Sequence, residues 1–371
     1  MRGMREKVSL LLSLIAVAAV MALVVQLASP YFMPGYTGFA AWWLVDMVAY
    51  ALALTALFTA SGVFGRFLTF RPPSLDALRA AMLAASAGVV GGVLLVIAGL
   101  ASLLGTELTT QLAIVALLFA LIPALFSWLL SPLLINVMYG CKHDPGLQEL
   151  VNRVAARAGM KPPKAMIASA SEPNAFAYSS PLFGRYVAVT RGMLEMASRE
   201  ELEAVIGHEL GHHKHKDNSV MLVFGLVPSF VYFLGRYLMF AGIYSSGYHD
   251  DRRGRGNGMI FLLAGIALII VSVIIQLAVL ALSRLREYYA DAHGAKVTSP
   301  SAMISALSSL DAFYKRYRGA MARVDASKLK MLFIYALANP AFGLEELLAT
   351  HPPIEKRIEF LRAISRSYSY L

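Results

Sequence analysis

Cysteine is nearly absent from this 371-residue chain: the single Cys141 excludes an internal disulfide and any metal site built from several thiolates. Charge is scarce too. Only 15% of the residues are charged against 58% hydrophobic, which excludes an ordinary soluble composition. Acidic residues are the scarcer sign, 23 against 33 basic ones, leaving a formal charge of +10. The basic residues sit mostly beside long apolar runs and in the polar segments. Attraction to anionic lipid headgroups accounts for that placement, so a nucleic-acid partner is not expected.

Long apolar runs are abundant. About twenty apolar residues span a bilayer core, and the stretches at roughly 9–29, 38–61, 81–104, 112–136, 219–243 and 258–282 qualify. The first follows Arg2, Arg5 and Lys7 like a secretory signal, yet it is long for one and no clear Ala-x-Ala site precedes Pro30. It reads as a retained span. Lys and Arg are missing from the loops 30–37 and 105–111, whereas Arg66, Arg71 and Arg79 lie between spans two and three. The positive-inside rule then puts both termini and the polar segments 139–218 and 283–371 in the cytoplasm. Arg252, Arg253 and Arg255 in the loop 244–257 oppose that orientation, and a hairpin of spans five and six that stops short of crossing is the alternative. Asp46 in span two and Arg236 in span five are ionisable residues inside spans, and Asp46 reads as a polar packing contact.

The two polar segments hold enough residues for one domain assembled from both. Residues 145–159 have helical apolar spacing, and strands are expected at 164–168, 174–178 and 186–190, forming a small sheet. Ser198 with Glu201 three residues on is a capping-box start for a helix that runs into His208-Glu209-Leu210-Gly211-His212.

In that motif two imidazoles four residues apart share one helical face, as two ligands of one zinc ion do. Glu209, directly after the first, is placed to take a proton from an activated water. The charged run His213 to Asp217 sets the motif at a membrane surface rather than inside the bilayer. His215 is excluded as a third ligand, since an unbroken helix carries it about 10 Å from His208. His213 and His215 read as exposed interfacial residues. After span six, Glu287 and Asp291 share a helical face: Glu287 can bind the metal and Asp291 can orient a ligand imidazole. By spacing alone, an ordinary helix with Glu287 paired to Arg284 fits equally well.

The ordered motifs HELGH (208–212), SRLREYYAD (283–291) and THPPIEKRI (350–358) resemble the HtpX-type membrane zinc metalloproteases, which share a superfamily with the CAAX prenyl proteases. The resemblance covers about residues 80–371. It implies a mainly α membrane protein of about six spans with a cytoplasmic α+β, gluzincin-like protease domain and a small β-sheet. It implies one zinc held by His208, His212 and Glu287, with Glu209 as general base and Asp291 behind a ligand. The segment Glu172 to Ala177 matches the family's PNAFA edge strand, so Asn174, Ala175 and Phe176 are expected to bind substrate. His351 or Arg357 would stand near the site and support the oxyanion or Asp291.

The organisation expected is an extra membrane pair at 1–75, spans three and four in 76–138, protease parts at 139–218 and 283–371, and spans five and six in 219–282. The expected activity is zinc-dependent cleavage of proteins at the cytoplasmic face of a prokaryotic plasma membrane, in membrane-protein quality control, with misfolded membrane proteins as substrates and the lipid bilayer as surroundings. A CAAX-type processing protease is the neighbouring alternative, disfavoured because that branch has seven spans. A non-catalytic zinc scaffold is a further one, disfavoured because a structural zinc has four protein ligands.

Overall fold

The structure, a computed structural model, describes residues 71–248, 252–316 and 352–368. The first two expected spans, Asp46 and His351 lie outside the described residues.

Helix α1 (Leu75–Leu104) starts at Ser74, whose hydroxyl accepts from the Ala77 amide at 3.2 Å. Gly105 turns the chain into α2 (Thr106–Met138). A two-residue strand β1 (Lys142–His143) leads to α3 (Pro145–Arg157), then β2 (Lys164–Ala168), β3 (Ala175–Ser180) and β4 (Gly184–Thr190). The short α4 (Arg191–Met196) precedes α5 (Arg199–Lys214), which carries the two motif histidines. Helices α6 (Asp217–Tyr248) and α7 (Arg252–Val297) follow, then α8 (Pro300–Arg316) and α9 (Ile354–Tyr368).

Among the described residues, four helical stretches are long and apolar enough to cross a bilayer: Leu75–Leu104, Thr106–Met138, Asp217–Ile243 and Gly258–Val297. The 27 residues from Asp217 to Ile243 rise about 40 Å, more than the roughly 30 Å of hydrocarbon. The loop expected at 244–257 is shorter than the sequence suggested, because no proline there stops the helical hydrogen-bond ladder. Val89, Leu112, Val231, Leu234, Leu238, Leu268 and Ile275 form the core among these four helices. Helices α6 and α7 meet backbone to backbone: a Cβ at Gly235 would stand 2.8 Å from the Gly265 carbonyl oxygen.

The sheet has the order β1-β2-β4-β3, antiparallel at β1–β2 and β3–β4 and parallel at β2–β4. Its register sets Phe176 opposite Ala188 and Tyr178 opposite Tyr186. Among the described residues β3 has a strand neighbour on one side only. One core joins Leu147, Val151 and Val154 of α3 to Val205, Ile206 and Leu210 of α5 and Ala306 of α8. A second joins Leu78 of α1, Tyr288 and Ala292 of α7, Leu307 of α8, and Phe360, Leu361 and Ile364 of α9. The polar region is thus packed from sequence segments on both sides of α6.

Candidate active site

Helix α5 begins with both halves of its capping box: the Glu201 amide donates to the Ser198 hydroxyl, and the Glu201 carboxylate accepts from the Ser198 amide at 2.9 Å. The same carboxylate accepts from the Ser305 and Ser309 hydroxyls at 2.6 and 2.7 Å, tying the helix start to α8. Burial raises the Glu201 pKa, but the bonds from Ser305, Ser198 and Ser309 outweigh it and hold the carboxylate below its ordinary 4.5.

Two turns further along, α5 crosses the last part of α7 at glycines. A Cβ on Gly207 would lie 3.2 Å from the Gly294 Cα, and one on Gly211 would lie 3.1 Å from the Ala290 Cα. Larger residues would push the helices apart. This approach brings His208 and His212 to Glu287. Their Nε2 atoms are 3.2 Å apart, and each lies near one Glu287 oxygen, His208 at 3.6 Å and His212 at 3.5 Å.

The outward nitrogens explain why those Nε2 atoms face one another. His208 Nδ1 donates to Asp291 at 2.9 Å, and His212 Nδ1 donates to Asp217 at 2.6 Å. A neutral ring that donates from Nδ1 carries a lone pair at Nε2. Two such lone pairs at 3.2 Å beside a buried carboxylate repel unless a cation lies among them. A tetrahedral ion with bonds of about 2.0–2.1 Å sets its donor atoms about 3.3 Å apart, close to the three separations found. These residues therefore fit a small divalent metal, and among the described residues they are the His/Cys/Asp/Glu group so arranged.

The surrounding charges agree. Asp291, fully buried, accepts from Arg357 Nε at 2.8 Å and Nη2 at 2.6 Å, a two-pronged pair. Arg357 Nη2 is also 3.8 Å from Glu287. Burial opposes the Arg357 charge, but Asp291, Glu287 and Glu209 hold its pKa above the ordinary value. On the other side Arg286 pairs with Asp217 and donates to the His215 carbonyl at 3.1 Å.

The structure brings together His208, His212, Glu287, Asp291 and Arg357, with Glu209 buried next to His208 and close enough to act electrostatically on Arg357; all six were expected from the sequence. Asn174 precedes the one-sided strand β3, bonded through its backbone to Thr190. Ala175 is half-buried, and its backbone faces the open edge, because the hydrogen-bonded Asn174–Thr190 pair precedes it in the ladder; the Phe176 ring packs on Tyr139 and Tyr178, so its side chain is committed to the protein interior. The expected exposure of His213 and His215 is corrected. His213 is buried, not exposed, because its Nε2 donates to the Tyr186 carbonyl at 2.8 Å, and burial pulls its pKa down to about 4. His215 is half-buried with its ring 4.2 Å from that of Tyr289. Sequence reasoning missed Asp217 and Arg286. An acid five residues past His212 was the available signal for the first; the second partner is 69 residues away.

Helices long and apolar enough to cross a membrane, beside a largely buried His-His-Glu group, define a membrane metallopeptidase. The model of peptidase family M48 matches residues 142–365, and the chain belongs to that family, in its HtpX-type branch. It is 46% identical over 254 residues to an Archaeoglobus fulgidus protein described as a protease HtpX homolog, covering 64% of this chain and 73% of that one. A protein of the same description from Pyrobaculum aerophilum is 47% identical over 255 residues, 63% and 72% of the two chains. The crystal structure of S. mikatae Ste24p aligns over 94% of this chain and 74% of its own, with a TM-score of 0.48 and 17% identity.

Proposed function

We propose that this membrane metallopeptidase is a zinc-dependent endopeptidase that cleaves proteins at the cytoplasmic membrane face. One observation carries the reading: two imidazole Nε2 atoms and a carboxylate converge within the spacing of a tetrahedral ion, with both Nδ1 atoms already bonded to carboxylates. His208, His212 and Glu287 are the ligands. Three protein ligands suit a hydrolytic zinc, which keeps one position for water or substrate. When bound, the zinc polarises the scissile carbonyl and acidifies a water molecule.

The chain's own groups supply the rest. Glu209 takes the proton of the attacking water on a carboxylate oxygen and later delivers it to the leaving amine. Asp291 and Asp217 hold the ligand rings in the Nδ1–H tautomer, and Arg357 keeps Asp291 ionised. The open edge of β3 offers backbone N–H and C=O groups to an extended substrate, with Asn174 at its start. Cytoplasmic placement follows from the basic residues, with Arg79 near the start of α1 and none in 105–111. Quality control of misfolded membrane proteins is the role that suits an endopeptidase so placed.

The test is Glu209→Gln. Its zinc content should match that of the unsubstituted chain while cleavage of casein or a membrane-protein substrate falls by about 100-fold or more. An unchanged rate would end the assignment of Glu209.

A further inference from the structure

One end of the sheet exposes large apolar side chains. Leu182 is 65% exposed and Phe183 37%, at the tip of the β3–β4 hairpin, where Gly184 with φ 84° closes the turn. Among the described residues, every other large hydrophobic with comparable exposure lies on a candidate membrane span. This exposed apolar pair stands apart from the spans, at the tip of a hairpin.

Three contacts fix that end of the sheet to the places where the chain enters the bilayer. The Tyr178 hydroxyl donates to the Asn136 side chain at 2.5 Å, in the last turn of α2. The Asn218 amide, on the second residue of α6, donates to the Ser179 hydroxyl at 3.4 Å. His213, four residues before α6 begins, donates to the Tyr186 carbonyl at 2.8 Å. Tyr178 and Tyr186 are opposite each other in the hairpin, so its tip lies only about 10–15 Å from this level at strand rise.

The same end is basic. Lys161 and Lys164 are exposed at the start of β2, and Lys164 is opposite Tyr186. Arg185 adjoins the tip and donates to the Lys161 carbonyl at 3.1 Å. Lys214 and Lys216 are exposed at the junction of α5 and α6. An apolar tip ringed by cations is the combination that anionic bilayer surfaces bind.

We propose that the hairpin tip is a membrane anchor: Leu182 and Phe183 enter the interfacial layer of the bilayer, while Lys161, Lys164 and Arg185 contact anionic headgroups. The sheet that borders the metal group thereby stands on the membrane at a fixed height. This inference rests on the helices crossing a bilayer and is independent of the metal chemistry.

The test uses the full chain in phosphatidylglycerol-containing nanodiscs, with a nitroxide at Leu182→Cys or Phe183→Cys in a Cys141→Ser background. A label at Glu200→Cys, exposed at the start of α5, is the aqueous control. Collisions with oxygen should exceed those with a water-soluble nickel chelate by several-fold at the tip and show the reverse order at the control. A tip label as accessible to the chelate as the control would overturn the proposal. So would dipolar broadening between tip labels that remain water-accessible, which would assign the tip to a second copy. Lys161→Glu with Lys164→Glu should draw the label outward in anionic bilayers; an unchanged depth would remove the headgroup contact.

Discussion

Helix α7 meets two different solvents along one unbroken axis. In its first half Met259, Ile260, Leu263, Ile270 and Ile274 expose large apolar side chains, as a lipid-facing surface does. In its last third Arg284, Arg286, Glu287, Asp291 and His293 are all buried. Nothing in helical geometry separates the halves; their neighbours do. The first half packs on α1 and α6, whereas the last third is covered by α5, α8 and α9, which supply the imidazoles and the Arg357 guanidinium. Charge is buried where partners from other segments neutralise it, and apolar surface is left open where only lipid has to be met.

The largest break of that comparison is Glu287→Ala. It should abolish both metal retention and peptidase activity, measured by metal analysis and casein cleavage, while Leu263→Ala on the exposed half of the same helix leaves both unchanged. Next comes Gly211→Leu, whose side chain has no room against Ala290 and His293. Forcing α5 off α7 should cost roughly 1–3 kcal/mol or more in stability and lower zinc affinity, read by thermal unfolding and metal titration. A smaller loss is expected for Asp217→Asn, which weakens the hold on the His212 ring: zinc affinity should fall about 10–100-fold in competition with a chelator.

The smallest effect concerns pH. Glu201, at the far end of α5, titrates below its ordinary 4.5 when folded. Above about pH 4.5 the unfolded chain is also ionised, so the contribution of the native hydrogen bonds is fully present; it is lost as the pH falls through the folded-state value. Glu201→Gln should therefore lower the unfolding temperature at pH 7, with the gap to the unsubstituted chain narrowing as the pH drops toward 3. A gap that widens on acidification would contradict the Glu201 account.

Local signals carried much of this architecture. The Ser198–Glu201 box, the i,i+4 histidines and the strands at 164–168 and near 175–180 and 184–190 each depend on neighbours within a few residues, so the sequence displays them. Long-range pairings were not legible in that way. The Asp217–Arg286 pair joins residues 69 apart, and neither its acid nor its base has a local reason to be buried. His213 looked exposed because its charged neighbours concealed a hydrogen bond to Tyr186, 27 residues back. Gly207, Gly211 and Gly294 are ordinary helix residues until the two helices are laid together.

X-ray absorption at the zinc edge of the purified full chain tests the central claim most directly. The account predicts one four-coordinate zinc with two imidazole nitrogens and oxygen ligands at about 2.0–2.2 Å and no sulfur. A shell containing sulfur, or one with a third imidazole in place of the Glu287 oxygen, would contradict it.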